Sequence, residues 1–345
     1  MMGYVVKDVV IEEKEYEYVK PFSISLGTHF KEKNVEIKLI LDDGTEGLGE
    51  ASPSFFISGE TGEVLMGISE KVRDILVGKD VRSYRKIWED LETLKATPAI
   101  KAGAQFAVLD ALCKKLDIPP YQFLGGERDE IETDKTIGIG KLDEMVEEAK
   151  EIGKEGFRVI KVKVGTSVKE DVEKVVRIQE AVPDVELVVD ANQGYRPKEA
   201  VAFAREIYKE GVKVKLFEQP VLKWDIEGLR FVRYNCPYPV AADESVFTRY
   251  DAYRLVKEDC VDYINIKLMK SGLLDALAIV EIAKSANVKL MIGCMGETSL
   301  GISQSAHFAG GLGAFSHHDL DSHLLIKEKE FRGRFKQEGP ILKLY

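Results

Sequence analysis

A closed barrel of alternating β-strands and α-helices, preceded by a smaller α+β region, is the fold class that this sequence of 345 residues predicts. Two observations carry that prediction. From about residue 128 one unit repeats: an apolar, β-branched strand, a polar or charged residue at its C-terminal end, then a charged amphipathic helix. Strands alternating with helices form a parallel sheet, and a long series of such units closes into a barrel. Earlier in the chain the pattern differs, with strand-like alternation over residues 4–50 and helical periodicity over 62–116, which points to an antiparallel sheet with packed helices. The boundary falls near residue 127, where "IPPYQFLGGERDE" brings a Pro pair and a Gly pair together.

Within residues 1–127, "NVEIKLILDDGTEGLGEASP" reads as a strand, a "DDG" turn and a second strand that breaks at Gly47, Gly49 and Pro53. "IKAGAQFAVLDALCKKL" is the clearest helix, and its small residues allow neighbouring helices to approach closely. Residues 128–325 hold the barrel strands "TDKTIGI", "FRVIKVKVG", "VELVVDANQ", "VKLFEQP", "YPVAADES", "VDYINIKLM" and "VKLMIGCMG", with an eighth candidate, "AFSHHDLDS", after Gly313. Residues 326–345, including "FRGRFKQEGPILKLY", read as a short strand pair that returns to the N-terminal region.

The composition narrows the function. With 45% hydrophobic and 31% charged residues the chain is globular and charge-rich. A net charge of −10 without a basic cluster argues against nucleic acid and against an anionic membrane surface as partners. No apolar run approaches a membrane span. The cysteines Cys113, Cys236, Cys260 and Cys294 have no CxxC spacing, and the N-terminus lacks a basic-then-apolar leader, so the expected setting is the reducing cytoplasm.

Barrel folds place their chemistry at the C-terminal ends of the strands. Asp190, Glu218 and Asp243 close three consecutive strand candidates, and Lys163 and Lys267 close the ones before and after; the gaps along the five are 27, 28, 25 and 24 residues. A closed barrel therefore converges all five. A lone strand-end carboxylate is ordinarily a helix cap or surface ion pair, but three converging carboxylates repel one another and require a cation. Oxygen donors without Cys or His fit a hard ion, Mg²⁺, one per site, with Mn²⁺ as a substitute.

Lys161 shares a strand face with Lys163, about 7 Å away. At an effective dielectric of about 20 the two charges repel by about 2 kcal/mol, which predicts a lysine able to lose its proton near neutral pH, as a general base must. Lys161 would then tune Lys163.

Together "LDALCKKLDIPPYQFLGG", "KVK", "DANQGY", "FEQP", "AADES", "NIKLMKSGL", "GCMGE" and "DLDSH" resemble the enolase superfamily, muconate-lactonizing subgroup, and within it the dipeptide epimerases. The resemblance spans essentially the whole chain. It implies a (β/α)7β TIM-like barrel capped by an α+β domain built from both chain termini. It also implies Lys163 and Lys267 as acid/base catalysts, Asp190, Glu218 and Asp243 as Mg²⁺ ligands, and Lys161 near the substrate carboxylate. The reaction implied is epimerisation of a dipeptide, L-Ala-D/L-Xaa: abstraction of the proton α to a carboxylate gives an enediolate whose charge the metal neutralises. One lysine on each face removes a proton and returns another.

By the same resemblance Asp319 and Asp321 hold the substrate ammonium, the alternative being an acidic helix start. Thr136 and Cys294 contact substrate, with simple packing the rival reading for Cys294. His317, His318 and His323 read as structural. Two cap loops, "PFSISLGTHF" and "SPSFFISGE", are expected to set specificity. No arginine lies between Pro21 and Phe30, His29 is the only candidate cation there, and Phe22 and Phe55 offer apolar surface. An apolar or aromatic second residue is therefore expected in preference to Glu. L-Ala-D/L-Glu specificity, N-succinylamino acid racemisation, o-succinylbenzoate synthesis and cycloisomerisation on the same fold are the alternatives. A catalytically silent binding homologue would be expected to have lost a site residue. A dipeptide is the partner implied, and assembly into a homo-oligomer is left open.

Overall fold

The computed structural model describes residues 3–345. Its first layer is the antiparallel sheet β1 (Val6–Ile24), β2 (Gly27–Leu41) and β3 (Glu46–Ala51), in that order. The expected break at Gly47 and Gly49 is not one: both lie inside β3. They are glycine because helix α4, following α1 (Gly62–Gly67), α2 (Ser69–Leu76) and α3 (Tyr84–Leu91), sits directly on that strand. A Cβ on Gly47 would lie 2.1 Å from Ala107 O, and one on Gly49 2.0 Å from Gly103 O. Helix α4 (Pro98–Leu116) is accordingly buried on almost every side from Ala99 to Cys113.

After α5 (Pro120–Phe123) and the short β4 (Glu130–Glu132), eight parallel strands follow in chain order: β5 (Lys135–Ile137), β6 (Val159–Lys163), β7 (Glu186–Asp190), β8 (Val214–Glu218), β9 (Val240–Ala242), β10 (Tyr263–Ile266), β11 (Lys289–Ile292) and β12 (His317–His318). Seven helices connect them: α6 (Leu142–Lys154), α7 (Val168–Ala181), α8 (Pro197–Lys209), α9 (Ile226–Asn235), α10 (Arg249–Lys257), α11 (Leu268–Ser285) and α12 (Ser299–Leu312). The two ends of the sheet meet where Asp134 N donates to His318 O (3.1 Å). This is the (β/α)7β arrangement. Inside, Val188, Leu216, Ala241, Tyr263 and Met291 form an apolar plug, and the side chains two residues further on face the mouth by strand alternation.

The C-terminal strand pair, β13 (Phe335–Glu338) and β14 (Ile341–Leu344), adds to β4 instead of to the first sheet. β4 offers the pair an edge with free backbone groups. Contact with the N-terminal region is made just before the pair, where the backbone at Ile326 bridges Tyr18 of β1 (Val19 N to Leu325 O and Lys327 N to Glu17 O, both 2.8 Å), and by the side chains of Arg334 to Asp110 (3.1 Å) and Arg332 to Glu36.

The first sheet reaches over the barrel mouth. The segment expected as a loop at 21–30 is the tip of the β1–β2 hairpin, with Phe22 paired to His29. It is latched to the barrel where Ser25 Oγ donates to Asn192 O (2.8 Å) and Ile139 N donates to Ser23 O (2.8 Å). The second segment, 52–60, ends on Glu60, whose carboxylate accepts from Ser58 Oγ (2.8 Å) and from Ala99 N at the start of α4 (3.2 Å). Burial pushes the Glu60 carboxyl up to about 7.

A carboxyl raised on folding contributes stability below its unfolded pKa and loses it as pH rises through the folded one. Glu60→Gln keeps the acceptor for Ala99 N, so it is expected to stabilise the protein by about 1 to 3 kcal/mol at about pH 8 and to give no gain near about pH 4. Urea unfolding at the two pH values measures this. Equal effects at both would contradict it.

Candidate active site

Asp190, Glu218 and Asp243 are fully buried at the ends of, or one residue beyond, adjacent strands. Each carboxylate has one oxygen fixed by a neighbour: Asp190 Oδ1 by Asn192 N (2.9 Å), Glu218 Oε1 by Asn265 Nδ2 (2.5 Å) and Asp243 Oδ1 by Lys270 Nζ (2.5 Å). The second oxygen of each faces an ammonium. Asp190 Oδ2 meets Lys163 (2.6 Å) and Lys161 (3.1 Å), Glu218 Oε2 meets Lys161 (2.7 Å), and Asp243 Oδ2 meets Lys267 (2.8 Å). At Glu218 Oε2 and Asp243 Oδ2 the ammonium is held as an ion pair off good hydrogen-bond geometry, and no other donor reaches either buried oxygen. Three oriented carboxylates, each with an oxygen turned inward, are a donor set that suits a hard divalent cation.

Lys163 and Lys267 lie on β6 and just after β10, four strands apart among eight, hence across the barrel from each other. Both line a cavity of about 680 Å³, counting its open mouth, together with Thr136, Lys161, Cys294, Asp319, Asp321 and, from the first sheet, Tyr18, Phe22, Ile24, His29 and Glu32. Asp319 Oδ2 accepts from Lys161 Nζ (2.6 Å), and Asp321 Oδ2 accepts from Thr136 N (2.6 Å). Cys294 stands with these two aspartates, the ligating atoms of the three within 4.8 Å of one another.

The electrostatics correct one expectation. Lys161 was expected to act on Lys163 as a repelling charge. Instead it touches Asp319, Glu218 and Asp190. Burial opposes its charge, but these carboxylates outweigh burial and hold the ammonium well above the usual lysine range. Lys267 behaves alike: burial opposes the charge, yet Asp243 raises its pKa. Carboxylates at 2.6–3.1 Å act more strongly than a like charge two strand steps away. Among the acids, burial and Asp190 push Glu218 up to about 7, and burial and Asp319 push Asp321 up to about 6. Asp190 is held at about 2 because Lys163 and Lys161 overcome its burial.

A second correction concerns Phe55. Its ring is 67% exposed and does not line the cavity. Residues 54–58 form a turn closed by Ser58 N to Ser54 O (2.9 Å), so Ser54 and Ile57, three apart, share the inner side while Phe55 points out. Phe55 instead packs edge-on against Phe56, which packs against His29.

Residues 6–125 match the model for the mandelate racemase/muconate lactonizing enzyme N-terminal domain, and residues 144–344 match the enolase C-terminal domain-like model. The chain belongs to the enolase superfamily, mandelate racemase/muconate lactonizing branch. Within that superfamily it is 55% identical, over 98% of both chains, to the L-Ala-D/L-Glu epimerase of Thermotoga maritima. It is 39% identical to the aromatic dipeptide epimerase of Herpetosiphon aurantiacus, covering 94% of this chain and 92% of that one. A dipeptide epimerase structure from Enterococcus faecalis, complexed with Mg and L-Leu-L-Tyr, has a TM-score of 0.95 at 35% identity, covering 100% of this chain and 98% of that one. Among the described residues, no helix is long and apolar enough to cross a membrane.

Other residues of the site escape sequence reading. Tyr18 and Glu32 belong to a strand pair that reads as ordinary alternation, and only the hairpin's reach brings them to the cavity. Lys270 and Asn265 carried a usable signal: they flank Lys267 in "NIKLMK", polar positions in an otherwise apolar run. Glu244, beside Asp243 in "AADES", is buried and bonded by Asn192 Nδ2 (3.2 Å). The three histidines make structural contacts: His317 with Asp134 (2.9 Å), His318 with Glu132 O (3.0 Å) and His323 with Gln337.

Proposed function

We propose that this chain is a dipeptide epimerase, an isomerase that inverts the second residue of an L-Ala-L-Xaa dipeptide by two-lysine proton transfer. The observation that carries it is the pair Lys163 and Lys267 on opposite sides of one cavity, with buried acids between them. Lys163 takes or returns the α-proton on one face of the substrate and Lys267 on the other, through an enediolate. Asp190, Glu218 and Asp243 would hold one Mg²⁺. When bound, the cation takes up carboxylate charge and neutralises the negative charge that develops on the substrate carboxylate. Lys161, fixed by three carboxylates, adds its positive charge on the side of that substrate carboxylate.

Asp319 and Asp321 receive the N-terminal ammonium, Thr136 holds Asp321 in place, and Cys294 packs beside them. The side chain of the second residue lies against Tyr18, Phe22 and Ile57. Tyr18 and Phe22 stack with ring centroids 5.8 Å apart. No arginine lines the cavity among the described residues, which supports an apolar or aromatic second residue. The relatives' own names cover both preferences.

The test is α-proton exchange in D₂O across a dipeptide library, followed by NMR. The wild type is expected to exchange and invert apolar L-Ala-L-Xaa substrates, and Asp321→Asn to lower their kcat/KM by about tenfold to a hundredfold while affecting N-acylated substrates far less. No exchange with any dipeptide would refute the assignment. Equal losses for free and acylated amines would remove Asp321 from the ammonium subsite.

A further inference from the structure

The cap wall of the cavity carries a carboxylate that the proton transfer does not use. Glu32 lies on β2 with its side chain 12% exposed. It accepts a hydrogen bond from Tyr18 OH (2.7 Å) and pairs with His29 Nδ1 (3.2 Å), and both contacts fall on Oε1. Its other side is packed against the loop that carries Cys294. A Cβ on Gly296 would come within 2.5 Å of Glu32 Cγ, so a glycine there is what lets the two segments touch. The carboxylate is thus clamped between hairpin and loop through Oε1, and Glu32 lines the cavity.

The other charges of the cavity are spoken for. Lys161, Lys163 and Lys267 contact Asp319, Asp190 and Asp243, and Asp321 accepts from Thr136 N. His29, the one candidate cation of the hairpin tip, is engaged by Glu32 itself. The cap wall that meets the second residue's side chain therefore carries one acid, Glu32; its other polar groups are Ser54, the Tyr18 hydroxyl and His29, the last two engaged by Glu32 itself.

We infer that Glu32 is a charge filter on the second residue: it rejects carboxylate side chains and admits apolar ones and those ending in an ammonium donor. Discrimination in binding sites commonly uses such a repulsive element beside the attractive ones, and like charges in close approach are strongly disfavoured. This assignment rests on the dipeptide-epimerase reading and adds to it the residue that sets side-chain charge.

Matched substrates test it in the wild-type enzyme. L-Ala-L-Glu is expected to have kcat/KM at least about tenfold below its neutral isostere L-Ala-L-Gln, while L-Ala-L-Lys equals or exceeds L-Ala-L-Met. In Glu32→Gln the Glu-to-Gln ratio is expected to rise by about tenfold, whatever happens to the absolute rates. L-Ala-L-Glu as good as L-Ala-L-Gln in the wild type, or an unchanged ratio in the variant, would overturn the filter and leave the epimerase assignment standing. Silence toward all four dipeptides would overturn both.

Discussion

Lys163→Ala and Lys267→Ala are each expected to lower epimerisation by on the order of 10² to 10⁴-fold, the usual loss on removing a general acid or base, and to leave different residual reactions. With Lys267 gone, Lys163 still faces one side of the cavity and exchanges the α-proton of the L,L-dipeptide with D₂O without inverting it. With Lys163 gone, the L,D-dipeptide alone exchanges. The surviving one-sided exchange also shows that each variant is folded, which matters because Asp190 and Asp243 lose an ammonium partner at 2.6 and 2.8 Å. ¹H NMR of both diastereomers distinguishes the cases. Lys163→Ala that exchanges the L,L-dipeptide at the wild-type rate would reverse or remove the facial assignment.

The second large effect concerns the carboxylates. Chelation of the wild type, and Asp190→Asn, Glu218→Gln or Asp243→Asn, are each expected to lower turnover by on the order of 10³-fold, since a Lewis-acid contribution of several kcal/mol is lost. Activity is not the only readout. Titration calorimetry on chelator-treated protein is expected to show one Mg²⁺ per wild-type chain and much weaker binding to each variant. The inward oxygens motivate this: Asp190 Oδ2, Glu218 Oε2 and Asp243 Oδ2 are buried side by side and meet only lysine ammoniums, so three converging carboxylates share positive charge that a divalent cation would complete. Full activity in chelator would remove the metal from the reaction.

The sequence by itself determined the barrel and the five charged strand ends that converge in its mouth. Strand and helix alternate with different periods, and a polar residue at the end of an apolar strand stands out, so Lys163, Asp190, Glu218, Asp243 and Lys267 were legible as one constellation. Closure of the eight-stranded sheet follows from that repeat, because each unit buries its strand only against the next. Local signals misled where contact decided the outcome. Gly47 and Gly49 read as breakers but serve the approach of α4, and Phe55 read as a pocket residue but faces outward from its turn.

Only the tertiary structure decided the electrostatics and the cap wall. Lys161 and Lys163 look mutually repulsive along one strand, yet Asp319 reaches Lys161 from a position 158 residues away at 2.6 Å. Coulomb energy depends on distance through space, which spacing within a strand does not reveal. Glu32 reaches the cavity for the same reason: the β1–β2 hairpin extends past β3 to latch on residues 139 and 192. Long-range placement of that kind comes from the packing of one layer on the other, and no local pattern in "HFKEKNVEIKL" encodes it.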